Sequence, residues 1–167
     1  MDITPSLNQE LGKRARGLLR KRRFSEDPET LSLVDRACEK MLKGEEHRFE
    51  SRAQFLTYAA MTMRSVLINL ARDRTTAKRG GGERPAELEE GAVPEQRDAE
   101  TLILDVNDRL RDLARHDPKL AQLVELRFFG GCTWDEVATV MKQPVDAVKA
   151  DWSFARMWLK AGLADED

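Results

Sequence analysis

TWDEVATVMKQPVDAVKADW, residues 133–152, has the pattern of two short helices joined by a tight turn. Thr133 and Glu136 have the spacing of a capping box, in which both side chains satisfy free amides at a helix start. A second helix is predicted to begin at or just after Pro144, because proline fits the first turn of a helix. The stretch therefore predicts a helix-turn-helix, a motif whose second helix lies in the major groove of DNA.

The second helix of this motif is poor in side chains that read bases. Lys149 is its one cation between residues 144 and 152, and Asp146 and Asp151 flank it. Side chains that share its face at helical spacing form a polar row, which we expect to contact DNA. The row consists of Lys149, Ser153, Arg156 and Lys160. Such side chains position a helix on phosphates better than they discriminate bases.

The rest of the chain is predicted to be all-α, because apolar residues recur at steps of three and four. Helix one is expected over about residues 6–19, and helix two opens at Asp27-Pro28. Helix three runs from near Ser51 to the glycines at 80–82. Further helices are expected from about residue 103 to just before His116, and from Asp117-Pro118 to the glycines at 130–131.

Charge divides the chain into three parts. Residues 1–82 carry a net charge of +6, residues 83–100 carry −5, and residues 101–167 carry −3. The middle part holds two prolines and few large apolar residues, which predicts a flexible acidic linker. We therefore expect two small helical domains, 1–82 and 101–167, joined by the linker 83–100.

Several functional classes are disfavoured by the composition. Cys38 and Cys132 are far apart and lack the spacing of a metal site, so we expect two reduced, apolar cysteines. No apolar run is long enough for a membrane span, and no secretory signal is visible, which predicts a cytoplasmic protein. His47 and His116 stand alone, and no nucleophile–base pair or phosphate-binding loop is present. We expect no enzymatic activity, no metal and no cofactor.

A basic stripe ends helix three. Over residues 64–79 five cations accompany a single carboxylate, which predicts binding to nucleic-acid phosphates. The five cations are Arg64, Arg72, Arg74, Lys78 and Arg79.

Several stretches in both halves resemble bacterial RNA polymerase sigma factors of the extracytoplasmic-function (ECF) group. In the first half they are FESRAQF (49–55), AAMTMR (59–64), ARDR (71–74) and AKRGG (77–81). In the second half they are VELRFFGG (124–131) and VKADWSFARMWL (148–159). The resemblance implies a region 2-like domain followed by a region 4-like helix-turn-helix domain. It also implies a specificity subunit that directs RNA polymerase to promoters and initiates transcription.

The resemblance assigns expected roles to particular residues. Helix two corresponds to the helix that docks on core RNA polymerase, through the surface residues Asp35, Arg36, Glu39 and Lys40. The basic end of helix three and the loop before it correspond to the segment that engages the opened minus-ten promoter element. In that loop Phe49 is a candidate stacking platform beside Arg48 and Arg52, although Phe49 is equally compatible with core packing. Core polymerase and promoter DNA are the implied partners, and an anti-sigma protein is a further candidate.

The recognition helix departs from the family pattern. Pro144, Ala147 and Ala150 stand where the family has Ser, Thr and Arg. Loss of an Arg that pairs with guanine removes about 1–3 kcal/mol of discrimination at that base. Two alternatives therefore stay open. One is a sigma-like interaction protein that binds polymerase or a regulator and reads DNA weakly, and the other is a dimeric helix-turn-helix repressor.

Overall fold

The computed structural model describes residues 5–24, 27–43, 49–80 and 98–164, with side chains described for residues 9–24, 27–40, 49–75 and 98–162. These residues form helices and no strand, which confirms the all-α prediction. We call α1–α3 the front half and the helices from residue 99 onward the rear half. The linker residues 83–97 lie outside the described residues.

The front half consists of three helices, α1 (Pro5–Lys21), α2 (Pro28–Lys43) and α3 (Arg52–Gly80). The Asp27 carboxylate caps α2, since it accepts a hydrogen bond from the Thr30 amide at 2.8 Å. The predicted apolar face of α2 is buried at Val34 and Cys38. Helix α3 is the longest of the described helices.

The rear half consists of α4 (Ala99–His116), α5 (Pro118–Val124), α6 (Trp134–Met141) and α7 (Val145–Ala164). Asp117 separates α4 from α5. Its amide donates to the Leu113 carbonyl at 2.7 Å, and its carboxylate caps α5 by accepting from the Leu120 amide at 3.1 Å. The predicted Asp-Pro helix start is therefore confirmed.

The predicted bounds of two helices differ from the structure by a few residues. Helix α1 covers Pro5–Lys21 and not 6–19, and α4 starts at Ala99, inside the stretch assigned to the linker. The physical reason at α4 is a cap, because Asp98 accepts from the Thr101 amide at 2.8 Å. Glu100, counted as a solvated linker residue, is only 7% exposed. The same helix also retains His116, which was expected to lie beyond its end.

Helix α5 runs directly into a π-helical turn, Glu125–Phe129, that the sequence did not predict. In this turn the Gly130 amide donates to the Glu125 carbonyl, five residues earlier, at 2.9 Å. A Cβ atom on Gly130 would lie 2.8 Å from the Cβ of Ala60 on α3, so only glycine permits this approach. The expected helix stop is present at Gly131, whose φ is +61°.

Front and rear halves share one hydrophobic core. Helix α3 packs against α4, α6 and the π-helical turn, and Phe55 and Phe129 are both fully buried. The predicted apolar cysteines Cys38 and Cys132 are buried free thiols, and burial raises the pKa of each to about 11. The division into domains at residues 83–100 stays a prediction, and the two predicted units contact each other directly.

Candidate nucleic-acid interface

Three arginines of the predicted basic stripe on α3 have described side chains, and they lie in two different settings. Arg72 is exposed, and none of the residues with described side chains forms an ion pair with it. Arg64 and Arg74 are only partly exposed, and each contacts a carboxylate of the rear half. The predicted basic stripe is therefore open to solvent at Arg72 and engaged within the protein at the other two positions.

Arg64 is held by two side chains of the rear half. Its Nε donates to Oδ1 of Asn107 at 2.8 Å, and its Nη1 donates to Oε2 of Glu125 at 2.8 Å. Asn107 is 2% exposed, so the Arg64 hydrogen bond satisfies an otherwise buried polar group. The guanidinium also lies 5.6 Å from the centre of the Phe129 ring. Arg64 thus uses its planar fork to join α3 to α4 and to the π-helical turn.

Arg74 joins three helices. Its Nη2 donates to the Thr30 hydroxyl on α2 at 2.5 Å, and its Nη1 lies 3.6 Å from Oε2 of Glu100 on α4. The guanidinium also lies 5.6 Å from the centre of the Phe24 ring. The arrangement braces α2, α3 and α4 around one cation.

Arg52, at the start of α3, pairs with both halves. Its Nη1 donates to Oε1 of Glu10 at 2.8 Å, and its Nη2 lies 3.5 Å from Oε2 of Glu136 on α6. Arg14 on α1 also pairs with Glu136. Glu136 therefore forms ion pairs with two arginines of the front half, a role that the sequence did not predict.

Phe49 is partly buried and packs against the core. Its ring centre lies 5.5 Å from that of Phe55, edge to face, and 5.6 Å from that of Tyr58. Of the two interpretations of Phe49, core packing has direct support in these contacts. Arg48 lies outside the described residues, as do the side chains of Lys78 and Arg79, although the backbone of the latter two continues α3.

The helix-turn-helix has the predicted local geometry. The Thr133 hydroxyl accepts from the Glu136 amide at 3.1 Å, and the Glu136 carboxylate accepts from the Thr133 amide at 3.0 Å, which confirms the capping box. Lys142 turns the chain in the left-handed conformation, with φ of 57° and ψ of 45°. Helix α7 then begins at Val145, where the Val148 amide donates to the Pro144 carbonyl at 3.1 Å.

Helix α7 buries one side and presents the predicted polar row on another. Val148, Ala155 and Leu159 are buried. The members of the row are all exposed: Lys149, Ser153, Arg156 and Lys160. Beside this row Phe154 and Met157 are 60% and 71% exposed, so the outer surface of α7 is apolar as well as cationic.

Arg127 locks the two helices of the motif together, and the sequence reasoning missed it. Its guanidinium carbon lies 3.9 Å from the centre of the Trp134 ring on α6 and 5.8 Å from that of the Trp152 ring on α7. Its Nη1 donates to the Cys132 carbonyl at 2.7 Å, and burial lowers the pKa of Arg127. Lys149 lies on the same indole at 5.8 Å, so Trp134 contacts the first cation of the polar row.

The predicted polymerase-docking residues lie on the outer surface of α2. Arg36, Glu39 and Lys40 are exposed. Asp35 accepts a hydrogen bond from Arg16 on α1 at 2.5 Å. The side chains of Asp35 and Arg16 stay about half exposed, so this ion pair contributes little to stability.

The profile of one protein family, described as ECF sigma factor, matches residues 1–165. The chain belongs to the ECF sigma factor family. Members of this family act as RNA polymerase sigma factors in transcription initiation, so the resemblance drawn from short stretches is confirmed over both halves. They are DNA-binding regulatory factors and not enzymes, and family membership implies core RNA polymerase and promoter DNA as partners. No curated protein and no solved structure matches the chain significantly.

Two further findings describe this ECF sigma factor. Its described residues contain no group of three or more His, Cys, Asp or Glu side chains that could hold a metal ion. None of its described helices is both long and apolar enough to cross a membrane.

Proposed function

We propose that this chain recruits core RNA polymerase to a set of promoters and opens their minus-ten element, with α3 as the main DNA-contacting helix. The match to the ECF sigma factor family over residues 1–165 carries the proposal. The exposed Arg72, followed along α3 by Arg74, Lys78 and Arg79 in the sequence, supports it, because clustered cations bind phosphates without reading bases.

Core polymerase is assigned to the outer surface of α2, through Asp35, Arg36, Glu39 and Lys40. This surface is available, since Arg36, Glu39 and Lys40 are exposed. Upstream DNA is assigned to the polar row of α7. That row can contact phosphates, but Ala147 and Ala150 provide no donor to base edges. Upstream recognition is therefore weaker than binding by the front half.

A second candidate function has a specific observation in its favour. Phe154 and Met157 are the most exposed large apolar side chains with described burial, and they lie on the helix that should read DNA. A sigma-like interaction protein would use such a surface for a protein partner. In that case Ala150→Arg creates measurable affinity for upstream DNA where the parent protein has none. Unchanged affinity in the variant would argue against this candidate.

Gel filtration with core polymerase tests the proposal. The chain should co-elute with core polymerase, and Arg36→Glu combined with Lys40→Glu should reduce the bound fraction strongly. Lys119→Glu is a matched control for charge reversal, because Lys119 is exposed on α5, away from α2. No co-elution of the parent chain would refute recruitment. Equal loss in the control would refute the assignment to α2.

A further inference from the structure

Two arginines of α4, Arg111 and Arg115, belong to no site described above. They are four residues apart, so they lie on the same side of α4, and both are exposed. Among the residues with described side chains, none forms an ion pair with Arg111. Arg115 lies 3.8 Å from Oδ1 of Asp112, but its side chain is 78% exposed, so this pair holds it only loosely. Both arginines are therefore accessible to an anionic ligand.

A groove between α3 and the rear half contains both of these arginines. Arg111 lines a cavity of about 360 Å³ together with Arg72 of α3, and it lines a neighbouring cavity of about 520 Å³ together with Arg115. Arg64, Arg111 and Glu125 line both cavities, which therefore adjoin each other. We call the two cavities together the α3–α4 groove.

The α3–α4 groove is cationic. The described residues that line it include four arginines and a single carboxylate. That carboxylate is Glu125, and Nη1 of Arg64 already pairs with it at 2.8 Å. Arg72, Arg111 and Arg115 thus remain as cations without a matching carboxylate in the groove. Cations distributed along a groove fit the successive phosphates of a nucleic-acid strand.

The neutral lining of the groove suits a nucleotide strand as well. Ser65 and Asn69 are exposed on its α3 side, where they can form hydrogen bonds with sugars or bases. Met61 is 52% exposed and also lines an adjacent cavity of about 430 Å³, which Phe49 and Tyr58 line too. Single strands bind where cations follow the backbone and apolar or aromatic side chains contact the bases. A duplex keeps its bases stacked inside, so this lining favours a single strand.

We infer that the α3–α4 groove binds a single nucleic-acid strand, with Arg72 on one side and Arg111 and Arg115 on the other. The rear half then adds phosphate contacts to those of α3. The inference rests on the proposed function, because a protein that opens promoter DNA has to hold a single strand. It deepens that function by assigning strand contacts to α4, which the family resemblance did not assign.

Arg111→Ala combined with Arg115→Ala is the variant that tests the inference. Both side chains are exposed, so their removal leaves the core intact. Lys13→Ala combined with Lys119→Ala is the matched control. It removes the same charge from exposed positions on α1 and α5, neither of which lines the groove. All variants are made in the full chain, and their helical circular dichroism and thermal unfolding are compared with the parent's.

Affinity is measured by fluorescence anisotropy with a labelled single-stranded DNA of mixed sequence, across a series of salt concentrations. The α4 double variant should raise Kd about tenfold at low salt and reduce the slope of log Kd against log salt by about 1.4, which is about 0.7 for each lost phosphate contact. The control should keep the parent's slope and change Kd by less than about twofold.

Two further variants separate the charge of the groove from its position. Arg111→Lys combined with Arg115→Lys should keep most of the slope, because lysine also binds phosphate as a point charge. Addition of Arg72→Ala to the α4 double variant should reduce the slope by about 0.7 more, because Arg72 contacts the strand from the opposite side of the groove.

Three outcomes decide against the inference. Equal slopes for the α4 double variant and the control would overturn the role of the groove and leave the proposed function in place, because α3 would still bind the DNA. A loss of slope on duplex DNA of the same sequence as large as that on the single strand would overturn the assignment to a single strand. No DNA binding by the parent, even at low salt, would overturn the DNA role of α3 and this inference with it.

Discussion

At the scale of a single residue, Glu136 has two structural roles, one within α6 and one between the two halves. It completes the capping box of α6 with Thr133, and it pairs with Arg14 and Arg52 of the front half. Burial alone would raise the pKa of its carboxyl. The hydrogen bonds from Arg14 and the Thr133 amide, with the charges of Arg14 and Arg52, hold that pKa below the ordinary value of 4.5. The T-x-x-E spacing predicted the cap, but nothing local in the sequence could predict an ion pair across 122 positions.

Protonation of the Glu136 carboxyl at low pH should therefore account for part of the loss of folding stability in acid. A carboxyl whose folded pKa is lowered contributes stability above its unfolded pKa, and that stability is lost as pH falls through the folded pKa. The free energy of unfolding should drop as pH is lowered past 4.5. Glu136→Gln should be less stable near neutral pH and show a shallower drop. Part of the drop should remain, because hydrogen bonds from Arg52 and Arg14 also lower the pKa of Glu10.

Urea unfolding at a series of pH values measures this effect. Asp135→Asn is the control, because Asp135 is an exposed neighbour in the same first turn of α6. A parallel acid dependence in Glu136→Gln and the parent would rule out the contribution of Glu136.

At the scale of elements, local sequence signals predicted much of the helix-turn-helix. They did not predict the π-helical turn that precedes it. Thr133 and Gly131 carry backbone requirements that are readable from residue type alone. The π-helical turn Glu125–Phe129 has no such signature, because its register is set by packing. It places Gly130 against Ala60 and points Glu125 at Arg64, and both contacts depend on tertiary structure.

The capping box gives a prediction for α6. Thr133→Ala removes the acceptor of the Glu136 amide and should lower the free energy of unfolding by about 1 kcal/mol. Thr139→Ala is the control within the same helix, because the Thr139 hydroxyl donates back to the Asp135 carbonyl and caps nothing. Thermal and urea denaturation compare the two variants. Equal losses of stability would mean that the cap is not the source of the effect.

At the scale of the whole molecule, oppositely charged side chains of the two halves form ion pairs with each other. The sequence showed a basic first part, residues 1–82, followed by an acidic remainder. Part of that complementarity is satisfied internally, at Arg64 with Glu125 and at Arg74 with Glu100. These pairs connect residues far apart in sequence, so composition could indicate attraction between the halves but not which side chains meet. The resemblance to the family was drawn from the order of short stretches in both halves, which requires no knowledge of these contacts. The family match over residues 1–165 confirms it.

Arg72 and Arg74, near the end of α3, are expected to have different roles, because only Arg74 pairs with a carboxylate of the rear half. Arg72→Ala should reduce the salt dependence of DNA binding by about one unit of slope on duplex DNA, because it removes one phosphate contact. Arg74→Ala should instead lower the thermal stability, because Arg74 braces Thr30 and Glu100. Anisotropy titrations over a salt series and thermal unfolding distinguish the two effects. An unchanged slope in Arg72→Ala would reject a phosphate contact at that residue.

Reconstituted transcription tests the central claim most directly. Core RNA polymerase is combined with a library of genomic DNA fragments, with and without the purified chain, and the 5′ ends of the transcripts are mapped. The sigma factor assignment predicts new start sites that appear only with the chain and share a sequence element at a fixed upstream distance. Start sites identical to those of core polymerase alone would contradict it.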